Sequence, residues 1–280
     1  MVHRYPDLRV REVTVKSIMS PSKLATYCLN PYAGCQHGCI YCYARFATRF
    51  SHPKEEWGSF VDVRINARQL IEKEAARKRP GRVFISSVSD GWQPLEEKYR
   101  LTRQCLEILL QHNYAIFAQT KSALVERDFD LFKGHPDVEL GMTLTTIDPK
   151  VAALFEPEAS TPRERIEVLN RANELGIHTF VFLGPLLPYI SDRGKGLEDL
   201  LDTVTKINPN YFLVDRLNPR YGIWATVSAT LAEHDPKLVP EYRKILYDRE
   251  IREWYSRELR QRIGAEAQRR GLTSKMRLCF

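Results

Sequence analysis

The stretch Asn30-Pro-Tyr-Ala-Gly-Cys35-Gln-His-Gly-Cys39-Ile-Tyr-Cys42-Tyr43 decides how this chain is read. Three cysteines fall on one glycine-containing loop with the spacing Cys-x3-Cys-x2-Cys. Thiolates are soft ligands, suited to zinc or to iron–sulfur clusters. Structural zinc takes four protein ligands, commonly as two separated pairs. The remaining cysteines, Cys28, Cys105 and Cys279, are single and supply no second pair. His37 lies inside the stretch, so a Cys3His zinc knuckle stays open, which would make the protein a nucleic-acid-binding module without redox chemistry. The other possibility is a cubane on three cysteines. It leaves one iron free to bind a small chelating molecule.

Outward from this loop, short apolar runs alternate with longer amphipathic ones. Residues 82–87, 115–120, 138–145, 179–183 and 211–214 read as buried strands, with an earlier strand near 24–29. Helical patterns lie between them at 66–79, 101–111, 162–175 and 197–206. Strands followed by helices at this spacing predict a parallel sheet with helices outside. Thr161-Pro162-Arg163-Glu164 has the cap, proline and glutamate of a helix start, and Gly176 marks its stop. About six strand–helix units are enough to curl into a partial or full barrel. Residues 241–270 form a long charged helical stretch, with Ile245, Ile251, Trp254, Tyr255, Leu259 and Ile263 available as an apolar stripe.

The chain has 280 residues, 43% hydrophobic and 28% charged, which excludes a disordered chain. No apolar run reaches the ~18 residues of a membrane span, so no membrane partner is expected. The start, Met1-Val-His-Arg-Tyr-Pro-Asp, lacks a secretory apolar core. A reducing, cytoplasmic setting is therefore the expectation, and clustered cysteines there point to metal or catalysis. The formal net charge is +7. Residues 241–280 hold 11 Lys and Arg against 6 Asp and Glu, a net of +5. Such a tail is either a solvated helix or a surface for nucleic acid or another anion.

The triple-cysteine spacing, with aromatic Tyr41 immediately before the third cysteine, resembles the signature of the radical SAM superfamily. The sequence pattern sets apart an N-terminal segment 1–22 and a basic C-terminal helical extension 216–280 packed on the core, while the resemblance covers the core barrel 23–215 and implies an α/β fold, a partial (β/α)6 TIM-like barrel. The resemblance also implies a 4Fe-4S cluster on Cys35, Cys39 and Cys42. The open iron would chelate the amino and carboxylate groups of S-adenosylmethionine, and an electron donor of flavodoxin or ferredoxin type would drive cleavage to a 5′-deoxyadenosyl radical.

Further pieces resemble the spore photoproduct lyase-like branch of that superfamily. They are Ser89-Asp90-Gly91-Trp92-Gln93-Pro94-Leu95-Glu96, Thr120-Lys121-Ser122, Arg127-Asp128, Thr143-Leu144-Thr145-Thr146, Glu156-Pro157 with Arg165, and Pro185-Leu186-Leu187-Pro188. By that resemblance Ser89 or Asp90 meets the methionine amino group. Lys121 and Ser122 hold its carboxylate and ribose. Thr143 and Arg165 contact the cofactor, Leu187 faces adenine, and Tyr41 and Tyr43, which flank a cluster ligand, stack on or hydrogen-bond to the adenosine. Trp92 is the expected substrate-side aromatic. One departure stands out. The branch has a hydrogen-donating cysteine just before its Ser-Asp loop, where this chain has Ser87 or Val88. A serine O–H bond is too strong for that task, so the substrate stays open: a nucleic acid, a peptide or a small molecule.

Overall fold

The structure is a computed structural model that describes residues 8–220 and 222–280. Strands β1 (Arg9–Val13), β2 (Met19–Pro21), β3 (Tyr27–Leu29) and β4 (Tyr32–Ala33) lead into the cysteine loop. Then come α1 (Arg45–Thr48), β5 (Phe60–Arg64), α2 (Ala67–Arg77) and β6 (Arg82–Ile85). Helices α3 (Leu95–Tyr99) and α4 (Leu101–Gln111) precede β7 (Ala115–Thr120). A 3-10 turn (Ala123–Asp128) and α5 (Phe129–Phe132) precede β8 (Val138–Thr143). Helices α6 (Pro149–Phe155) and α7 (Pro162–Glu174) precede β9 (His178–Leu186), and α8 (Gly194–Ile207) precedes β10 (Tyr211–Arg216). After β10 come α9 (Ile223–His234), α10 (Leu238–Tyr247), α11 (Arg249–Arg269) and β11 (Met276–Leu278).

The main sheet runs β11-β10-β9-β8-β7-β6-β3-β2. Neighbours are parallel except the β2–β3 pair. Strands β3, β6, β7, β8, β9 and β10 are the six parallel units, each followed by helix. The sheet ends at β2 and β11 and does not close, as a partial barrel requires. On one face Val83, Ile116, Leu140, Val181, Phe212 and Val214 are buried in the main apolar core, which also takes in Leu106, Leu169, Leu201 and Leu259 of the helices. Each such side chain contributes about 1.5–3 kcal/mol by leaving water. On the other face Phe84, Phe117, Phe180 and Tyr211 form an aromatic row across the sheet, with successive centroids 5.3, 4.7 and 5.2 Å apart; the Phe117 and Phe180 rings stack over β8 between them. Gly141 sits beneath this stack, where a Cβ would collide with the Phe180 ring. Burial on both faces explains the near-continuous apolar runs of these strands.

Helix α7 begins as expected: Thr161 and Glu164 form a capping box with Pro162 at the first position. The stretch 241–270 differs from a single helix. It breaks at Asp248, whose carboxylate accepts from Ile251 N at 3.1 Å and starts α11 afresh. Ile245, Tyr255, Leu259 and Ile263 are buried as the stripe requires. Trp254 is instead 53% exposed, because it follows the helix one residue off the 255-259-263 spacing. The C-terminal segment also carries a strand: β11 pairs with β10, Met276 opposite Phe212. Residues 8–21 are built into sheets too. β1 joins β5 and β4 in a separate three-stranded sheet, and β2 extends the main sheet.

Candidate active site

The cysteine loop lies over the carboxyl ends of the parallel strands, where barrel loops build sites. Its partners show this. Gln36 N donates to Gln93 Oε1 at 2.9 Å, and Leu95 N donates to Gln36 Oε1 at 2.6 Å, which ties the loop to the segment after β6. Ile40 N donates to Phe155 O at 2.9 Å, in the connection after β8. Thr226 Oγ1 donates to Ile40 O at 2.9 Å, after β10. Asn30 closes the near side, since its Oδ1 accepts from Ser87 N and Val88 N at 2.9 and 3.0 Å. Gly34 has φ +85°, and a Cβ there would strike the Phe60 carbonyl oxygen, so only glycine allows this entry to the loop.

Cys35 and Cys39 are buried, Cys42 is half-buried, and all three are free thiols. Burial pushes all three thiols up, Cys39 to about 12 and Cys35 well above its ordinary value. Asp90 and the other two thiols add to the rise at Cys35. At Cys39 Glu156 adds to it, while Lys121 and Arg165 oppose it. Such thiols become thiolates only beside a strong local cation, which is what a metal centre supplies.

Tyr41 points into a buried network. Its hydroxyl donates to Glu156 Oε1 and stands 3.0 Å from Thr145 Oγ1. Glu156 Oε2 pairs with Arg165 Nη2 at 2.6 Å. Arg165 is 1% exposed; its Nε donates to Ser160 O at 2.7 Å and its Nη1 to Thr143 O at 2.9 Å. Burial opposes the charge on Glu156, but Arg165, Lys121 and the Tyr41 hydroxyl hold its carboxyl below the usual range. Glu156 had no role assigned from sequence. The only signal for it was the Glu156-Pro157 pair quoted with Arg165.

The other predicted residues divide by what they still have free. Asp90 is buried and its oxygens are engaged: Oδ1 by Trp92 N at 2.9 Å and Thr120 Oγ1 at 2.6 Å, Oδ2 by Lys121 N at 2.9 Å. His37 Nδ1 lies 3.4 Å from Oδ2. Burial resists its ionisation, but His37 and these bonds hold it well below the carboxylate range. Asp90 therefore fastens the β6 and β7 loops together. Ser122 Oγ accepts from Leu124 N at 3.3 Å and caps the 3-10 turn. Thr143 is buried at the end of β8, with Gln119 Nε2 3.3 Å from its hydroxyl. Leu187 is buried in a core cluster with Cys39 and Tyr41, and its N–H goes to Ser191 Oγ at 3.0 Å.

Three residues keep capacity for a ligand. Lys121 Nζ stands 5.7 Å from the Tyr41 ring centroid, and no carboxylate or hydrogen-bond acceptor engages it among the described residues. Tyr43 is half exposed, with its hydroxyl on Ser87 O at 2.6 Å. Ser89 is half-buried and donates to Tyr32 O at 3.2 Å. Trp92 does not belong with them. It is fully buried, with Nε1 donating to Asp128 Oδ2 at 2.8 Å and its ring against Phe132, so it packs the core rather than a substrate. One surface cavity, lined by Arg45, His52 and Trp57, adjoins the cysteine loop, where Arg45 donates to Ile40 O at 3.2 Å; another is lined by Asn173, His178 and Asn210.

Residues 29–204 match the Radical SAM superfamily. The chain belongs to that superfamily. Family membership makes it an enzyme that uses S-adenosylmethionine. An uncharacterized protein of Methanocaldococcus jannaschii is 34% identical over 187 residues, 66% of this chain and 70% of that one. A radical SAM Nalpha-GlyT isomerase of Pseudomonas phage M6 is 22% identical over 221 residues, 78% of this chain and 44% of that one. Among solved structures, spore photoproduct lyase complexed with dinucleoside spore photoproduct superposes with a TM-score of 0.71 at 12% identity, covering 97% of this chain and 82% of that one. That likeness establishes the fold: this radical SAM protein has the architecture of spore photoproduct lyase. No described helix is long and apolar enough to cross a membrane.

The donor set fits the family's iron–sulfur cluster better than a zinc ion. Around one zinc at ~2.3 Å, thiolates must converge on a single point. Among the described residues no three His, Cys, Asp or Glu side chains converge so. His37, the only fourth ligand the zinc reading offered, turns its Nδ1 to Asp90 instead. A cubane spreads three thiolates over three irons, and three free thiols on one loop suit it.

Proposed function

We propose that Cys35, Cys39 and Cys42 hold a 4Fe-4S cluster and that the protein abstracts hydrogen from a macromolecular substrate, a nucleic acid or a peptide. The observation that carries the reading is the unpaired Lys121 ammonium beside buried Cys39, above the strand ends. No acceptor among the described residues bonds its ammonium, although Glu156 and Asp90 favour its charge from a distance, so its donors are left for the S-adenosylmethionine carboxylate. Bound there, the cluster and S-adenosylmethionine supply an electron and a sulfonium whose cleavage yields a 5′-deoxyadenosyl radical.

The chain's own residues then bind and orient. Lys121 holds the carboxylate. Ser89 takes the amino group, on a loop that Asp90 fixes in place. Tyr43 offers its exposed ring to the adenosine. Tyr41, Glu156, Arg165 and Thr143 act beneath, where they hold the cysteine loop against β8, and buried Leu187 walls the adenine side with its side chain. An external electron donor of flavodoxin or ferredoxin type reduces the centre. The basic C-terminal segment favours a macromolecular, anionic substrate over a small neutral one.

The test is anaerobic reconstitution with iron, sulfide and a reductant. Wild-type protein is expected to turn S-adenosylmethionine into 5′-deoxyadenosine and Cys35→Ala to make none. Equal output from both, or zinc at one equivalent without sulfide, would sink the reading.

A further inference from the structure

Arg216 ends β10 at the same rim as the cysteine loop, past an irregularity in the β10–β9 pairing that follows Val214. Its Nε and Nη1 are buried and have no hydrogen-bond partner among the described residues. Adjacent Asp215 favours the guanidinium charge but makes no hydrogen bond to it. Its carboxylate accepts from Arg216 N at 2.9 Å and lies 3.3 Å from Asn218 Nδ2. Buried guanidinium nitrogens without a partner are destabilising, and the Arg216 side chain as a whole is only partly buried, so its outer end is open to a ligand.

The surroundings add positive charge. Helix α11 presents Arg252 and Arg260, eight residues apart and so on one stripe, with Ser256 between them. Arg252 spends Nη1 on Leu246 O at 3.0 Å, and Arg260 reaches the Phe280 oxygen. Burial presses the Arg216 guanidinium down from its ordinary value and Arg252 and Arg260 add to this, while Asp215 and Tyr255 oppose it. Arg220 continues the row toward the cysteine loop, close enough to act on both Asp215 and Tyr43. Like charges gathered in this way repel one another and attract an anion.

We propose that Arg216, flanked by Arg252 and Arg260, is a phosphate-binding subsite that holds a phosphate of the substrate at the rim of the barrel. Guanidinium groups offer planar, charged donors that match phosphate oxygens. The proposal rests on the reading of the strand-end rim as the substrate side, and it commits the substrate to phosphate chemistry. The phosphate comes either from a nucleic-acid backbone or from a small nucleotide.

The experiment measures binding to the reconstituted protein without reductant, so it does not depend on turnover. Its failure leaves the radical chemistry standing, and failed S-adenosylmethionine cleavage leaves this site standing. A labelled single-stranded oligonucleotide is titrated by fluorescence anisotropy across a salt series, with inorganic phosphate, a nucleoside 5′-monophosphate and the unphosphorylated nucleoside as competitors. Arg216→Gln and Arg252→Gln are each expected to weaken binding about tenfold, the scale of one charged hydrogen bond. Each should also flatten the log–log salt slope by about one. Phosphate should compete and the bare nucleoside should not. Arg216-dependent binding of the monophosphate without oligonucleotide binding would assign the phosphate to a small molecule and support the site. Wild-type affinity and slope in both variants would overturn it, as would displacement by an acidic peptide but not by phosphate. Arg252→Gln lies on α11 rather than at the buried strand end, so it decides the matter if Arg216→Gln fails to fold.

Discussion

Two cations near the cysteine loop do opposite work. Arg165 is fully buried and bonded to Ser160, Thr143 and Glu156, while the Lys121 ammonium is bonded to no carboxylate and feels Glu156 and Asp90 only from a distance. Breaking a buried ion pair from one side costs about 3–5 kcal/mol, because the other charge is left unpaired. Arg165→Met should therefore lower urea-unfolding stability of the metal-free protein by about that amount. Lys121→Ala should leave stability nearly unchanged and weaken S-adenosylmethionine binding by about 1.5–3 kcal/mol, the strength of a charge-assisted hydrogen bond. Equilibrium dialysis of the reconstituted protein measures the second effect. If both variants lost only stability, the assignment of Lys121 to the ligand would be wrong. The sequence singled out Lys121 as the carboxylate partner and offered Arg165 only as a basic residue at a helix start. What separates them is the carboxylate each meets, and Glu156 reaches Arg165 only because the chain after β8 turns back over the cysteine loop.

The elements whose own sequence sets their limits were the legible ones. Strand 115–120 and helix 101–111 have the same bounds in both readings, and α7 was announced by its cap, proline and glycine stop. What stayed hidden depends on distant partners. β1 and β5 are short, and they pair across 51 positions of sequence, Val10 opposite Val61. β11 has three residues and is a strand because β10 presents an open edge. The break at Asp248 was readable in principle, as an acidic cap inside a helical pattern. Asp248→Ala should cost about 1 kcal/mol in thermal or urea unfolding by removing that cap. Glu74 on α2 shows pH entering at this scale. It accepts from Ile18 N at 2.9 Å, Met19 N at 3.1 Å and Lys78 Nζ at 2.6 Å, so it carries the entry to β2. Burial resists its ionisation, but these bonds hold its carboxyl below the usual value. A depressed carboxyl stabilises above its unfolded pKa, and the gain is lost as pH falls through the folded value. Glu74→Gln should thus destabilise at pH 7, by an amount that shrinks as pH drops below about 4. A deficit constant from pH 7 to pH 3 would contradict it.

At the scale of the whole molecule, a sheet that does not close must protect its two edges. The β2 edge is short and antiparallel. The β10 edge is longer and apolar, and the chain covers it with its own C-terminus. Cys279 N donates to Val214 O at 2.9 Å. Lys275 Nζ reaches Asn208 Oδ1 at 2.6 Å and Pro209 O at 2.8 Å. The Arg277 guanidinium lies 4.0 Å over the Tyr211 ring, at the end of the aromatic stack. The helices supply the larger share of burial, because Tyr255, Leu259, Ile263 and Ala267 of α11 pack in the main core without help from β11. Deleting residues 273–280 should therefore leave the protein folded by far-UV circular dichroism. It should lower Tm by several degrees, at about 2–4 °C per kcal/mol for a chain near this size. The exposed β10 edge should then pair with other copies, so size-exclusion chromatography at rising concentration should show association that the full chain lacks. A truncated protein that stayed monomeric with unchanged Tm would mean that α11 alone guards this edge. The basic C-terminal charge would then serve only the rim and not the closure of the fold.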